Sequence, residues 1–376
     1  MELFDSVHGT IQLCPMAKKI VDTPEYQRLR NIKQLGMVYH VFPSASHNRF
    51  EHSLGVYHLS KLYMDILNKK GDYFDDKHYK LISIASLIHD LGHGPFSHLF
   101  DVWQDHNNHE FRSIEIFKYM NTKYGLGFTK EDLLFMYNTI DPKFVVDDRK
   151  YLYQILSNSS GIDVDRMDYI MRDTKMTGIN YGIESEKIMR NTVIDSNEIK
   201  YKLKGKIAIN DFLNTRFILY REIYNHKTVV ALEYHIKEIL DVMDKDFDLS
   251  RKVKLQDWKN FVLMDDNILN IVQYCSFFNC SSKVNIILND IKTRNIYKMI
   301  GEILTDKPIT IKSEKEDVIV SQVRLKYYSS ELPKYVDESS IKILKKDNGH
   351  CDEYITRIYC KDKEDVYANN LFKSFT

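Results

Sequence analysis

The segment SLIHDLGHGPFSHLFD places His89 beside Asp90, then His93 and His98 across a Gly/Pro break, then Asp101 three residues on. Neutral imidazole and ionised carboxylate are ligands for Zn, Fe, Mn or Mg, and mixed nitrogen and oxygen sites leave room for bound water. An adjacent histidine and aspartate cannot point the same way from a helix, so further ligands must come from elsewhere. NRFEH offers one, because Arg49 and His52 share a helix face at i and i+3. GIDVDRMDYIMRD offers another. There Met167, Ile170, Met171 and Thr174 form an inward stripe, while Asp165, Tyr169 and Asp173 recur at i, i+4 and i+8 on another face with Arg166 beside them. Any one of these histidines is at least as often a satisfied core or surface group, and a lone charged helix face is usually solvated. Collectively that explanation weakens, since burial gives an apolar helix little reason to end in so many polar groups.

Helices must position these residues. Phe50, Leu54, Tyr57, Leu62 and Ile66 recur at near-helical spacing between Ser46 and Asn68, and Asn48 followed by Glu51 resembles a capping box. From Lys77 to His89 the chain, within KHYKLISIASLIH, is apolar on nearly all faces and suits a short buried helix that Gly92, Gly94 and Pro95 then break. Further helical patterns cover Asn108 to Lys123, Lys130 to Thr139, Lys150 to Leu156, Asp163 to Lys175 and Asp211 to Met243. NTVIDSNEIKYKLKGKIAI alternates around a turn-like Asp195, Ser196, Asn197 cluster and predicts a hairpin. VIVSQVRLKYY and EYITRIYC alternate as well. The expected fold is mainly α: a helical core over 1–190, a hairpin with helices completing the site over 191–305, and an α+β lobe over 306–376.

The chain has 53 basic and 53 acidic residues, so no global positive field recruits a nucleic acid, and a local cleft for a small polyanion fits better. Its five cysteines, Cys14, Cys275, Cys280, Cys351 and Cys360, are scattered without CxxC spacing, which predicts idle thiols in a reducing compartment. Neither a leader nor a membrane span is evident, so the reading is cytoplasmic or otherwise intracellular.

ASHNRFEHSLG, HDLGHGPFSH and GIDVDRMDY, in this order, resemble the HD superfamily of phosphohydrolases, and within it the vertebrate sterile-alpha-motif and HD-domain deoxynucleotide triphosphohydrolases. The likeness begins at VHGTIQL, runs through TPEYQRLRNIKQLG and VFPSASHNRFEHSLG, and weakens after Tyr224 to Lys227, with RNIYKMIGE and RIYCK as later echoes. The resemblance implies an HD-domain helical core and metal-dependent hydrolysis of dNTPs to deoxynucleoside and inorganic triphosphate. It implies His52, His89, Asp90 and Asp165 as ligands of a divalent ion whose identity, Fe, Mn, Zn or Mg, stays open. It also implies His93 at the α-phosphate, His98 as acid oriented by Asp101 or by His109 and Glu110, and Gln34, Leu35, Tyr169 and Asp173 around the deoxyribose. Arg49, Arg166 and Arg216 would hold phosphate, and Tyr224 and Asn225 complete the nucleotide contacts. Arg166 stands where the family more often has lysine and Asn225 where it has glutamine, which leaves base preference open. Two rivals share the sequence features: another HD nucleotidase or phosphodiesterase, and a nucleic-acid-binding protein that merely keeps the fold.

Asp22, Gln27, Arg30, Val41 and Phe42 match positions at which the family binds a guanine-nucleotide effector, whereas Glu184 and Lys187 replace different polar residues. The sterile-alpha-motif module and the arm completing the effector site are expected to be absent, and the basic segment after RNIYKMIGE is shortened to ILTDKPITIKSEKEDV. Losing charged effector contacts should shrink the coupling to assembly. The expectation is a monomer or dimer that needs no guanine-nucleotide activator.

Overall fold

The computed structural model describes residues 1–104, 108–145, 147–179, 181, 183–275, 277–325, 332–336 and 353–375. The chain opens with an antiparallel hairpin of β1 (Glu2–Asp5) and β2 (Gly9–Gln12), which pairs Glu2 with Gln12 and Asp5 with Gly9. Short helices over Pro15–Val21 and Pro24–Gln27 and 3-10 turns over Arg28–Asn31 and Gly36–His40 lead into α1 (Arg49–Asn68). Asn48 caps α1 by accepting from the Glu51 N–H at 3.2 Å. The return bond of the expected capping box differs, because the Glu51 carboxylate accepts from the Asn48 side-chain amide at 2.9 Å.

Helix α2 (Asp76–Ile88) is capped by Asp75 and is buried continuously from Leu81 to Ile88, as its all-round apolar pattern requires. The HD loop then turns sharply. A Cβ on Gly92 would lie 2.1 Å from the His109 carbonyl oxygen and one on Gly94 2.4 Å from the Phe100 ring, so only glycine allows the loop to pack this closely. Helices α3 (His98–Gln104), α4 (His109–Tyr124) and α5 (Lys130–Ile140) follow, then a single turn at Tyr151–Gln154, shorter than the expected Lys150 to Leu156. Helix α6 (Val164–Thr177) has Asp163 as its cap and stops at left-handed Gly178. Met167, Ile170 and Thr174 of its expected inward stripe are buried, whereas Met171 is only partly so.

The expected hairpin forms as β3 (Thr192–Asp195) and β4 (Glu198–Tyr201), with Ser196 and Asn197 both at positive φ as a tight two-residue turn needs. The single helix expected from Asp211 to Met243 is instead two. Helix α7 (Lys206–Ile218) widens into a π-helical segment over Leu219–Tyr224, and α8 (Lys227–Phe247) restarts after His226, whose extended ψ of 133° ends the first rod. After α9 (Ser281–Lys292) the chain enters a sheet of β5 (Lys298–Thr305), β6 (Val318–Leu325) and β7 (Glu353–Cys360), ordered β5-β7-β6 and antiparallel throughout. Helix α10 (Val366–Lys373) covers the sheet, with Phe372 seated against Gly301. The expected VIVSQVRLKYY strand is described through Leu325; its last residues and Cys351 lie outside the described residues.

One continuous apolar core gathers residues from Ile11 to Tyr359, and a small second cluster of Val318, Ile358, Cys360 and Ala368 lies under α10. The fold is mainly α with small β elements, as expected. Among the described residues no helix is long and apolar enough to cross a membrane, and the four described cysteines are free thiols.

Candidate active site

The N-termini of α1 and α6 meet the C-terminus of α2. This convergence brings His52 from α1, His89 and Asp90 from the end of α2, and Asp165 from the first turn of α6 into one cluster. His52 Nε2 lies 3.1 Å from Asp165 Oδ1, 3.2 Å from His89 Nε2 and 3.6 Å from Asp90 Oδ2. His89 Nε2 is 3.5 Å from Asp90 Oδ1 and 3.6 Å from Asp165 Oδ1. Donors held about 2.0–2.2 Å from a common ion in a tetrahedron would stand roughly 3.3–3.6 Å apart. His52 Nε2, His89 Nε2 and Asp165 Oδ1 come close to that, whereas the expected fourth ligand, Asp90, turns Oδ2 to His52 and Oδ1 to His89 and offers no single oxygen to all three.

The tautomers point the same way. His52 Nδ1 donates to Asp168 Oδ2 at 2.7 Å and His89 Nδ1 donates to the Ser86 carbonyl at 2.8 Å. A carboxylate and a carbonyl can only accept, so each Nδ1 carries the proton and neutral rings leave both Nε2 lone pairs facing each other. Without an ion the surrounding carboxylates favour a proton on an Nε2; in the neutral rings both lone pairs face each other at 3.2 Å, an arrangement that a cation between them would relieve. Metal-ligating histidines have this same arrangement, with the far ring nitrogen donating to a carboxylate or backbone carbonyl. Burial opposes protonation of His52, but Asp165, Asp168 and Asp90 outweigh it and lift the imidazole to about 10, so the surrounding carboxylates demand positive charge here. Asp90 is buried, which by itself disfavours its charge, yet the Arg49 guanidinium 2.6 Å from its Oδ2 holds it well below the usual carboxylate range.

A second imidazole cluster adjoins the first. His93 is fully buried, with Nε2 3.2 Å from Asp90 Oδ1, and its ring stacks on His109 at 3.9 Å between centroids. Burial, reinforced by Arg49 and His109, pushes the His93 pKa well down and keeps the ring neutral. Asp101 accepts from His109 Nδ1 at 2.8 Å and from Arg112, whereas its Oδ2 is 3.8 Å from His98 Nδ1. Its closest imidazole is therefore that of His109. His98 has 71% of its side chain exposed and stands edge-on to both His93 and His109. Glu110 lies 3.6 Å from His109 Nε2.

His98, Gln34 and Tyr169 line both the metal cavity and a neighbouring cavity of about 360 Å³, which Leu35, Asp173, Tyr220, Tyr224, Asn225 and Glu233 also line. Asp173 is held there by His47 Nε2 at 2.8 Å and by the Tyr224 hydroxyl. The Asn225 amide donates to the Tyr220 carbonyl at 2.7 Å. Of the three arginines, Arg49 is bound to Asp90 and Arg166 to its own helix cap, Asp163. Arg216 differs, because its Nε and Nη1 are buried without a hydrogen-bond partner among the described residues and its guanidinium lies over the Tyr220 ring at 5.4 Å. The residue as a whole is half-buried and lines neither of these two cavities, and two buried donors without a partner among the described residues favour a nearby anion.

Of the effector-matching residues, Gln27 accepts from Arg30 and donates to the Val21 carbonyl, while Asp22 makes an exposed pair with Lys18 at 2.7 Å. Val41 and Phe42 pack against the core, with Phe42 edge-on to His226.

Sequence reasoning missed the layer behind the ligands. Asp168 Oδ1 accepts from His8 Nε2 at 2.6 Å, and Arg172 donates to both Asp168 oxygens at 3.0 Å and to Asp5 at 2.8 Å. Arg28 ties the carbonyls of Leu91, His93 and Met264 together, and Asp266 accepts from the Lys33 and Phe96 N–H groups. The i, i+4 spacing of Asp168 and Arg172 was the one available signal.

The HD domain family matches residues 49–173, the span from Arg49 to Asp173 that contains all four candidate ligands. The chain is 30% identical to the deoxynucleoside triphosphate triphosphohydrolase SAMHD1 homolog of Dictyostelium discoideum, over 96% of this chain and 77% of that protein. It is 35% identical to an HD domain-containing protein of Acanthamoeba polyphaga mimivirus, over 79% of this chain and 72% of the viral one. To human deoxynucleoside triphosphate triphosphohydrolase SAMHD1 it is 32% identical over 85% of this chain, which spans 58% of the human protein.

Proposed function

This chain belongs to the SAMHD1 family of HD-domain proteins, and on that premise we propose that it hydrolyses dNTPs to deoxynucleoside and inorganic triphosphate with a divalent metal. The observation that carries this reading is the facing pair of His52 and His89 Nε2 atoms beside Asp90 and Asp165, opening into an aromatic-lined cavity through Gln34, His98 and Tyr169. Two imidazoles and two carboxylates suit Fe, Mn or Zn better than Mg, which prefers oxygen alone. When bound, the ion supplies a water of lowered pKa and offsets charge on the α-phosphate.

The chain's own residues do the rest. Arg216, with its unmatched guanidinium, takes phosphate oxygens, and Arg49 and Arg166 flank the metal cavity. Water attacks the α-phosphorus, the bond from phosphorus to the 5′ oxygen breaks, and that oxygen needs a proton. His98 is exposed to the cavity and can rotate, so it is the group to deliver that proton. His93 stays neutral and orients phosphate, while His109 and Asp101 form the hydrogen-bonded wall behind it. On the sugar side, Tyr169 and the immobilised Asp173 leave little room for a 2′ hydroxyl.

Incubating metal-loaded protein with each dNTP and identifying the phosphate product tests the reading. Inorganic triphosphate supports it; stepwise monophosphate release would assign the chain to another HD phosphohydrolase. We further propose, on the shortened basic segment after RNIYKMIGE and the replacements at Glu184 and Lys187, a monomer or dimer that works without a guanine-nucleotide activator. Comparing dATP hydrolysis and solution mass with and without GTP decides that point, and activity confined to a GTP-induced tetramer would refute it.

A further inference from the structure

Glu233 is a carboxyl without a purpose in the chemistry above. It sits on α8, lines the 360 Å³ cavity, and is absent from the lining of the metal cavity. It is half-buried, and among the described residues it has no ion pair and no hydrogen bond from its side chain. Burial alone pushes its pKa up to about 7. Elsewhere in this cavity the acid has a partner: Asp173 is held by His47 and Tyr224. An acid left unpaired in a pocket walled by Tyr169, Tyr220, Tyr224 and Phe96 costs stability unless a ligand completes it.

We infer that Glu233 reads the nucleobase edge and gives the enzyme a preference for guanine. This inference rests on the dNTP reading above, in which phosphates occupy the metal cavity and the base enters the aromatic one. A nucleobase stacks well on tyrosine faces, and its edge must then meet whatever polar group the wall offers. A carboxylate has two acceptor oxygens side by side. Guanine alone presents two adjacent donors, N1–H and the N2 amino group. Adenine and cytosine present one amino donor beside a ring-nitrogen acceptor, and thymine presents one N–H between two carbonyls that repel an anion. Two charge-assisted bonds from guanine also favour the ionised acid against the burial that opposes it.

The test measures kcat and KM for all four dNTPs, and for deoxyinosine triphosphate, which lacks the N2 amino group, on wild type and on Glu233→Gln. Wild type should show a KM for dGTP lower than for the other bases by about tenfold or more, and deoxyinosine triphosphate should lose roughly half of that advantage on a logarithmic scale. Glu233→Gln, which keeps the shape and turns one acceptor into a donor, should abolish the dGTP advantage while the ratios among the other three bases hold. Identical base profiles in the two proteins, or an equal loss for all four substrates, would overturn the inference and leave dNTP hydrolysis standing. No hydrolysis of any dNTP by metal-loaded wild type would instead remove the reading on which it rests.

Discussion

Replacing Asp168 by asparagine should weaken metal binding without touching a ligand. Asp168 is fully buried and accepts four hydrogen bonds: Oδ1 from His8 Nε2 at 2.6 Å and Arg172 Nη2 at 3.0 Å, Oδ2 from His52 Nδ1 at 2.7 Å and Arg172 Nε at 3.0 Å. Asparagine fits the space but must turn its amide nitrogen toward one side, where it meets two donors. If it faces His52, the ring loses the acceptor that fixes its tautomer; if it faces His8, Arg172 loses half its fork. Loss of such a partner behind a metal-bound histidine typically costs ~10- to 100-fold in metal affinity. Arg172 keeps Asp5 at 2.8 Å, so unfolding is not expected, but a buried guanidinium short of its main counter-ion costs about 3–5 kcal/mol. Over an unfolding entropy of about 0.8 kcal/mol/K for a chain this long, that lowers Tm by roughly 4–6 °C. Gly55→Ala should reproduce the defect, because its Cβ would lie 1.8 Å from Asp168 Oδ1. Metal titration of the folded apoprotein well below Tm separates the two effects. Affinity within about twofold of wild type, with His52 still required, would show that Asp168 does not hold the tautomer.

His89→Ala or Asp90→Ala should abolish turnover and deplete metal on elemental analysis, whereas His98→Ala should keep its metal and lose roughly 10² or more in kcat. Arg216→Met should eliminate turnover without lowering Tm, since Nε and Nη1 of this half-buried guanidinium have no partner among the described residues and the proposed function gives them phosphate; a fall in Tm would mean that the guanidinium is already satisfied. Glu233 supplies a pH test. Its folded pKa of about 7 exceeds the ordinary 4.5, so the unfolded chain ionises first and stability falls as pH rises between those values. The gain in Tm from Glu233→Gln in the apoprotein should therefore be small near pH 5 and reach its full size above pH 7, and an equal gain at both would contradict the assignment.

The convergence of His52, His89 and Asp165 was legible because polar residues interrupt apolar helices in SLIHDLGHGPFSH and NRFEH, where burial would otherwise select against them. The layer behind it was not. Asp168 meets His8 across 160 residues of chain, and no local pattern marks that pairing. The i, i+4, i+8 series of Asp165, Tyr169 and Asp173 drew attention to one face of α6, while the pair buried beside it, Asp168 and Arg172, was passed over. The break between α7 and α8 escaped for a different reason. Apolar periodicity continues through REIYNHKTVVAL without glycine or proline, and the chain is turned by π-helical widening and by His226, whose side chain caps Thr228. β5 escaped because KMIGEILT puts apolar Leu304 on the exposed face with Lys298 and Glu302, and carries a register shift between Met299 and Gly301, which together blur the two-residue period.

What the site asks of the fold is clearest in its largest buried side chains, which are Arg49, Arg112 and Arg172. Each spans two parts of the centre. Arg49 joins Asp90 to Ser97, Arg112 joins Asp101 to the Gly92 carbonyl, and Arg172 joins Asp168 to the β1 residue Asp5. Apolar side chains of the same volume would often leave a core equally or more stable, because desolvating an ion pair offsets most of its attraction. Three such pairs around one cluster are therefore poorly explained by stability. They are well explained by position: each carboxylate is held charged and aimed before any ion or substrate arrives. A centre built from the ends of three helices has no shared hydrogen-bond ladder to fix its donors, so these buried pairs, with Arg28 and the Ser86 carbonyl beside them, hold them in place.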